Sequence, residues 1–500
     1  MGKCIRFFMA VGFVLGIYVS GWGQVYEAWV ARYNGPSDGD DFISALAVDD
    51  SGYVYVTGIS PDSGSSNDYA TIKYAPNGDT LWVRRYNGPL NSADYAYALT
   101  VDNNGNVYVT GTPATIKYKP NGDTSWVRCC GGYAVALDES GNVYVTGSTA
   151  TIKYKANGDT SWVRCCGGYV VALDKSGNVY VTGASWNGSS YDYATIKYAP
   201  NGDTIWVKTY DGPGNGSDLP AGMVLDDSGN IIITGNSQRD SSWYGNRDFA
   251  TIKYMPNGDT LWVRRFNGLK NSDNFPSDLK VDKSGTAFVT GLSRDSLGLW
   301  SFVIIKYAKN GDTVWVRQKS LSVNYCCEED GPLLEVDAYG SCYVTVRGPL
   351  WETLTRKYST SGDVIWTIRY YAFYSQPAGI VSTATGELYV STNVYFDGVS
   401  QGGDYVTVKY MQCLTSPGDG NADGSLTLGD IISTVNYIFQ KPGCLPLPLC
   451  WLSGLVCRGD WSGNGAVTLA DVIQGVNFLF DKPGGPWNPI PSGPCCLPVP

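Results

Sequence analysis

The chain has 500 residues, a net charge of −10 and no histidine. The acidic balance argues against nucleic acid or an anionic membrane surface as the main partner, because both need a basic footprint. The missing imidazole excludes Ser-His-Asp and Cys-His catalysis, His-ligated zinc or haem, and the usual proton shuttle near neutral pH.

The first elements read as an address. Lys3 and Arg6 precede an apolar run, Phe7 to Ser20, and Gly21-Trp22-Gly23 then offers small residues at a cleavage point. This is the layout of a secretory signal over residues 1–23. The run is shorter than the roughly 20 residues a bilayer needs. A secreted or cell-surface protein without a transmembrane anchor is therefore expected.

From there a repeat organises the chain. One unit reads Ala98-Leu99-Thr100-Val101-Asp102, a turn at Asn103 to Asn106, then Val107-Tyr108-Val109-Thr110-Gly111. Ala114-Thr115-Ile116-Lys117-Tyr118 follows, then Asn121-Gly122-Asp123-Thr124 and Trp126-Val127-Arg128. Each run is short, β-branched or aromatic, and alternates in polarity, which is strand chemistry. Asn-Gly between two such runs marks a hairpin, so each unit predicts four antiparallel strands.

The third strand recurs at Lys73, Lys117, Lys153, Lys197, Lys253, Lys306, Lys357 and Lys409. The fourth recurs at Trp29, Trp82, Trp126, Trp162, Trp206, Trp262, Trp315 and Trp366. The series opens on a lone Trp strand and closes without one, so pairing the two ends closes a ring and removes the free sheet edges. The expectation is an all-β propeller of four-stranded blades, eight in number, with seven as the alternative. Residues 113–148 and 149–184 are nearly identical and mark a duplication. Gly-Asn-Val-Tyr-Val-Thr-Gly (141–147), Ala-Thr-Ile-Lys-Tyr (150–154) and Asn-Gly-Asp-Thr (157–160) make residues 29–410 resemble the SBBP family of β-propeller repeats. That resemblance implies a fold and an extracellular habit, with no fixed activity.

Strand alternation puts the Asp-x-Ser-Gly-Asn and Asn-Gly-Asp turns on one face and all longer connections on the other. A rigid scaffold with one variable loop face is where binding or catalysis is expected. Trp186, Trp243, Trp300 and Trp351 fall in those connections, with Tyr191, Tyr244, Tyr395 and Phe396 nearby. They are the candidate ligand-binding rim for a glycan or protein. Asp102, Asp138 and Asp174 precede turns and are expected to cap backbone N–H groups. No catalytic residue can be named, since the acids repeat too regularly to single out a glycosidase pair. Of the 14 cysteines, many are adjacent in sequence, with Cα atoms about 3.8 Å apart, below the usual disulfide span. Those in the propeller are expected to be small apolar fillers, because no CxxC spacing favours zinc.

After Tyr410 the repeat stops. Asp419, Asn421, Asp423, Ser425 and Asp430 occupy positions 1, 3, 5, 7 and 12 of a loop with Gly424 at position 6. Asp460, Ser462, Asn464, Ala466 and Asp471 repeat the frame, with Gly465 at the turn. Oxygen ligands at these positions, with the position 7 carbonyl, are calcium-loop chemistry, so two Ca2+ ions are expected. Each loop opens an amphipathic helix, in which Ile431, Ile432, Val435, Ile438 and Phe439 match Val472, Ile473, Val476, Leu479 and Phe480.

Residues 417–484 resemble a type I dockerin, whose paired loop–helix repeats imply two calcium ions and a cohesin-like protein partner. Leu428-Gly429 and Leu469-Ala470 stand where that family carries small hydroxyl residues. The expected domains are a signal (1–23), a propeller (24–412), a dockerin-like module (413–484) and a Pro/Cys-rich tail (485–500). Three functions fit: a binding scaffold docked through calcium, an extracellular polysaccharide-degrading enzyme, or a self-assembling surface protein.

Overall fold

The computed structural model describes residues 25–62, 66–239, 247–268, 273–294, 299–321, 331–372, 374–384, 386–395, 402–412, 428–441, 461, 467–480 and 482. The 32 strands from Val25 to Gln412 form eight four-stranded antiparallel sheets. Blade I spans residues 42–86, II 95–128, III 134–164, IV 170–210, V 218–266, VI 274–320 and VII 333–370. Blade VIII takes three strands from 374–412 and its fourth from Val25–Tyr33, with Trp29 opposite Lys409. The ends of the repeat meet as expected, and there are eight blades.

The first strands of neighbouring blades touch all round the ring, including blade VIII against blade I. They therefore surround the axis, and the Trp-bearing fourth strands lie outermost. Second and third strands are almost wholly buried, as in Val54–Pro61 and Asn67–Tyr74, because each blade is covered on both faces by its neighbours. Sheets covered on both faces need near-continuous apolar runs, which is what Val-Tyr-Val-Thr-Gly and Ala-Thr-Ile-Lys-Tyr supply. The threonines of these runs are paired inside the sheet, Thr57 with Thr71 at 2.9 Å and Thr146 with Thr151 at 3.0 Å.

The fourth strand joins one blade to the next. The Trp82 indole N–H donates to the Pro120 carbonyl at 3.1 Å, and Arg84 Nε donates to the Gly122 carbonyl at 2.6 Å. Trp126, Trp162, Trp206, Trp262 and Trp315 make the same reach into the following blade. The repeated tryptophans are thus blade-to-blade clasps.

The turn face is structural too. Asp102 Oδ1 accepts the N–H groups of Asn104 and Asn106, and its Oδ2 accepts the Asn106 amide and the Tyr108 hydroxyl. Asp138 and Asp174 repeat this. Burial raises the Asp138 and Asp174 carboxyls, but hydrogen bonds from Asn142 and Asn178 outweigh it and hold both below the usual range. The third-strand lysines join this face, as in Lys253 with Asp226 at 2.8 Å and Lys357 with Asp337 at 3.1 Å.

Among the described residues two helices follow the ring, α1 (Leu428–Ile438) and α2 (Leu469–Leu479), and they pack on each other. The expected apolar stripes are split. Ile431 is buried, yet Ile432 on α1 and Ile473 on α2 are exposed, as are Phe439 and Phe480 just past the helix ends. Thr434, Asn436 and Gly475 take the buried places instead. The small Gly475 leaves room for Trp461, whose ring would lie 2.9 Å from any Cβ there and which packs on Phe478. No helix among the described residues is long and apolar enough to cross a membrane.

Candidate binding face

The turn preceding each second strand gives a common ruler for the blades. Five residues before its Asp, at the loop-face end of the first strand, blades II, III and IV carry Tyr97, Tyr133 and Tyr169. Other blades carry small residues there, such as Ser44, Ala221, Ser277 and Pro332. In blade II the register shifts between Ala96 and Ala98, so Tyr97 is the bulged residue. A bulge leaves its extra residue unpaired and re-aims the side chain. In blades III and IV the tyrosines stand just ahead of the strand, held by backbone bonds from Tyr133 to Thr146 and from Tyr169 to Thr182.

The three rings form a crescent near the axis. Tyr97 and Tyr133 centroids are 5.5 Å apart, Tyr133 and Tyr169 6.2 Å, and Tyr95 lies parallel to Tyr97 at 6.4 Å. Exposures of 37%, 40% and 43% for Tyr97, Tyr133 and Tyr169 leave much of each ring accessible. Blades II and III have very short second-to-third strand connections, Thr112 to Thr115 and Thr146 to Thr151, so little overhangs the crescent. Blade IV has a longer hairpin, which brings Trp186 and Tyr191 to the same region with rings 5.1 Å apart, edge to face. Burial raises the Tyr169 phenol, and the Tyr133 and Tyr191 phenols push it further.

Of the four expected rim tryptophans, Trp186 is 57% exposed and belongs to this patch. Trp351 is also exposed, in a left-handed backbone conformation (φ 66°), stacked on Tyr374 at 5.3 Å with Arg347 beside both rings. It belongs to a second patch, over blades VII and VIII, that includes Tyr395. Trp300 is a correction. It is 6% exposed, begins a third strand rather than lying in a loop, and packs on Phe275 at 5.8 Å. The apolar run Trp300 to Tyr307 draws it into the sheet, where it pairs with Arg294. Trp243 lies outside the described residues.

The propeller cysteines also need correction. Cys129, Cys130, Cys165 and Cys166 are exposed free thiols at the ends of fourth strands, while Cys342 is buried and its thiol is pushed by burial to about 12. Only Cys342 is an apolar filler among these. Of the expected calcium ligands, Asp419, Asn421, Asp423, Ser425, Asp460, Ser462, Asn464 and Ala466 lie outside the described residues, as does the Asp430 side chain. Asp471 is fully buried, and its carboxylate accepts the backbone N–H of Thr468 at 2.8 Å in a capping box at the start of α2.

The family comparison agrees with the repeat. A family model for the SBBP β-propeller repeat matches residues 81–112. Among solved structures, a Bacteroides caccae protein of unknown function is similar at 13% identity and TM-score 0.32, covering 54% of this chain and 95% of its own. The Neurospora crassa Pan2 WD40 domain is similar at 10% identity and TM-score 0.42, covering 77% and 94%. The Toxoplasma gondii coronin WD40 domain is similar at 10% and 0.40, covering 79% and 86%. Comparison with curated proteins returns no match. The chain is an eight-bladed β-propeller in which residues 81–112 match the SBBP repeat.

Proposed function

We propose that this protein is a secreted or surface binding scaffold whose loop face recognises glycan through the tyrosine crescent. The observation that carries the reading is the placement of Tyr97, Tyr133 and Tyr169 in consecutive blades, with Trp186 and Tyr191 beside them. Flat, half-exposed rings bearing a polar tip suit ligands with an apolar face and hydrogen-bonding edges. A pyranose is such a ligand, and a row of rings suits a chain of them. Glycan-array binding followed by calorimetry tests this. Tyr133→Ala and Tyr169→Ala are each expected to weaken binding roughly twofold to tenfold, about 0.5–1.5 kcal/mol per ring. Unchanged affinity in the double variant would refute the glycan reading, and selection of a peptide instead would assign the face to protein.

The tail is proposed to dock the scaffold onto a cohesin-like module after its two loops bind Ca2+. Exposed Leu428 and Ile432 on α1, with Phe439 just past its end, match exposed Leu469 and Ile473 on α2, with Phe480 at its C-cap, so each helix offers the same apolar stripe to a partner. Circular dichroism of the full chain with EDTA and then Ca2+ should show a gain of helix. A helical signal indifferent to calcium would count against the loops.

A further inference from the structure

We propose that the adjacent cysteines at the outer edges of blades II and III, Cys129 with Cys130 and Cys165 with Cys166, each chelate one soft metal ion of Cu(I) type. All four are free and exposed. In other blades the fourth strand runs on through these two positions, ending on Arg85-Tyr86 in blade I, Thr209-Tyr210 in blade IV and Arg265-Phe266 in blade V. Successive side chains of a strand point to opposite faces, so two cysteines placed there could not share a ligand. Blades II and III end the strand earlier, at Arg128 and Arg164. Each pair therefore lies beyond its strand, with Cys129 and Cys165 on a bend.

The third strand dictates the early stop. It begins only at Thr115 in blade II and Thr151 in blade III, against Asn67, Tyr191 and Arg247 in blades I, IV and V. Thr115 pairs with Arg128 and Thr151 with Arg164, which leaves the fourth strand no further partner. The bend that follows is held in place. Thr115 Oγ1 donates to the Cys130 carbonyl at 2.9 Å, and Thr151 Oγ1 to the Cys166 carbonyl at 2.8 Å. The Tyr154 hydroxyl of blade III also donates to the Cys130 carbonyl, at 3.2 Å, and blade IV sets the Tyr198 hydroxyl on Cys166. On this bend the Cys129 and Cys130 thiols hydrogen-bond each other, so their sulfurs lie together.

Neighbouring Cα atoms stand about 3.8 Å apart, too close for an unstrained disulfide with its S–S bond of about 2.05 Å. An ion between the sulfurs relieves that constraint, since two metal–sulfur bonds of about 2.3 Å let the sulfurs stand farther apart. Thiolates are soft ligands that select Cu(I) or zinc over hard cations. Zinc completes a tetrahedron of four ligands, whereas each pair offers two sulfurs, and the chain has no histidine to add. Cu(I) is satisfied by two thiolates. Burial and the adjoining Cys129 thiol both raise the Cys130 thiol, so the ion displaces protons on entry and uptake strengthens as pH rises. One Cu(I) and two thiols give one dithiolate complex and two protons, with no change of oxidation state.

The inference does not depend on what the loop face or the tail binds. Titration of the full-length protein with Cu(I), under anaerobic conditions and against a coloured Cu(I) chelator strong enough to outcompete single thiols, tests it. The combined variant Cys129→Ser, Cys130→Ser, Cys165→Ser and Cys166→Ser is expected to lose two equivalents relative to the parent. Cys129→Ser alone and Cys166→Ser alone are each expected to lose one, because a chelate fails when either sulfur is removed. Equal stoichiometry in the parent and the fourfold variant would overturn the site, as would a Cys129→Ser protein that keeps its equivalent. Uptake of Zn2+ in place of Cu(I) by the same thiols would overturn the class of ion. Should the fourfold variant fail to fold, the single variants decide.

Discussion

Gly122 shows how tightly the repeat constrains a single residue. It sits at φ 86°, and a Cβ there would lie 2.9 Å from the Trp82 ring of the preceding blade. A side chain would face both a left-handed backbone and a clash with the clasp. Gly122→Ala is expected to lower stability by about 2–4 kcal/mol, read as a shifted midpoint in denaturant unfolding. Asp41 makes the opposite kind of constraint. It is fully buried, and burial pushes its carboxyl up to about 6 despite bonds from Ser60 and Gly35. Below about pH 4 both folded and unfolded forms hold the proton. Between there and 6 the unfolded chain ionises first, so this residue lowers stability across that window and keeps it lower above. Asn274 occupies the same place in blade VI, so Asp41→Asn should be tolerated. Its stability relative to the parent should rise between pH 4 and pH 7 by at most about 3 kcal/mol. Parallel melting curves across that range check this, and a constant difference would refute it.

At the scale of strands and hairpins, what could be foreseen depended on whether local sequence or neighbouring blades decided the outcome. The strands, their turns and the capping role of Asp102 follow from runs and Asn-Gly signals that act within a few residues. Trp300 borders a loop in the sequence, but the apolar run behind it extends the strand to include it. The tyrosine crescent was legible but missed. Its signal is a shared offset from the turn aspartate in three consecutive units, and attention to residue type and loop length passes over an offset. On α2 the packed side differs from the apolar stripe that the spacing marks, since Gly475 admits Trp461 there.

The ring as a whole has one seam. Seven blades are built from consecutive strands, so covalent connectivity brings their edges together. Blade VIII alone joins strands from opposite ends of the chain, through pairing of Val25–Tyr33 with Asp404–Gln412. That outer strand also carries a clasp into blade I, the Trp29 indole donating to Pro76 at 2.9 Å, and Arg32, which neutralises buried Asp404. Deleting residues 1–33 would therefore expose a strand edge, unpair a buried acid and remove one clasp between blade VIII and blade I. An exposed edge recruits other strands, so the truncated chain should unfold at lower denaturant and associate in sedimentation. A peptide of residues 24–34 should pair with that edge as an added strand and restore both the midpoint and the monomer. If the truncated chain matched the parent in both measurements, closure of the ring would owe its stability to blade packing alone, and the seam would carry none of it.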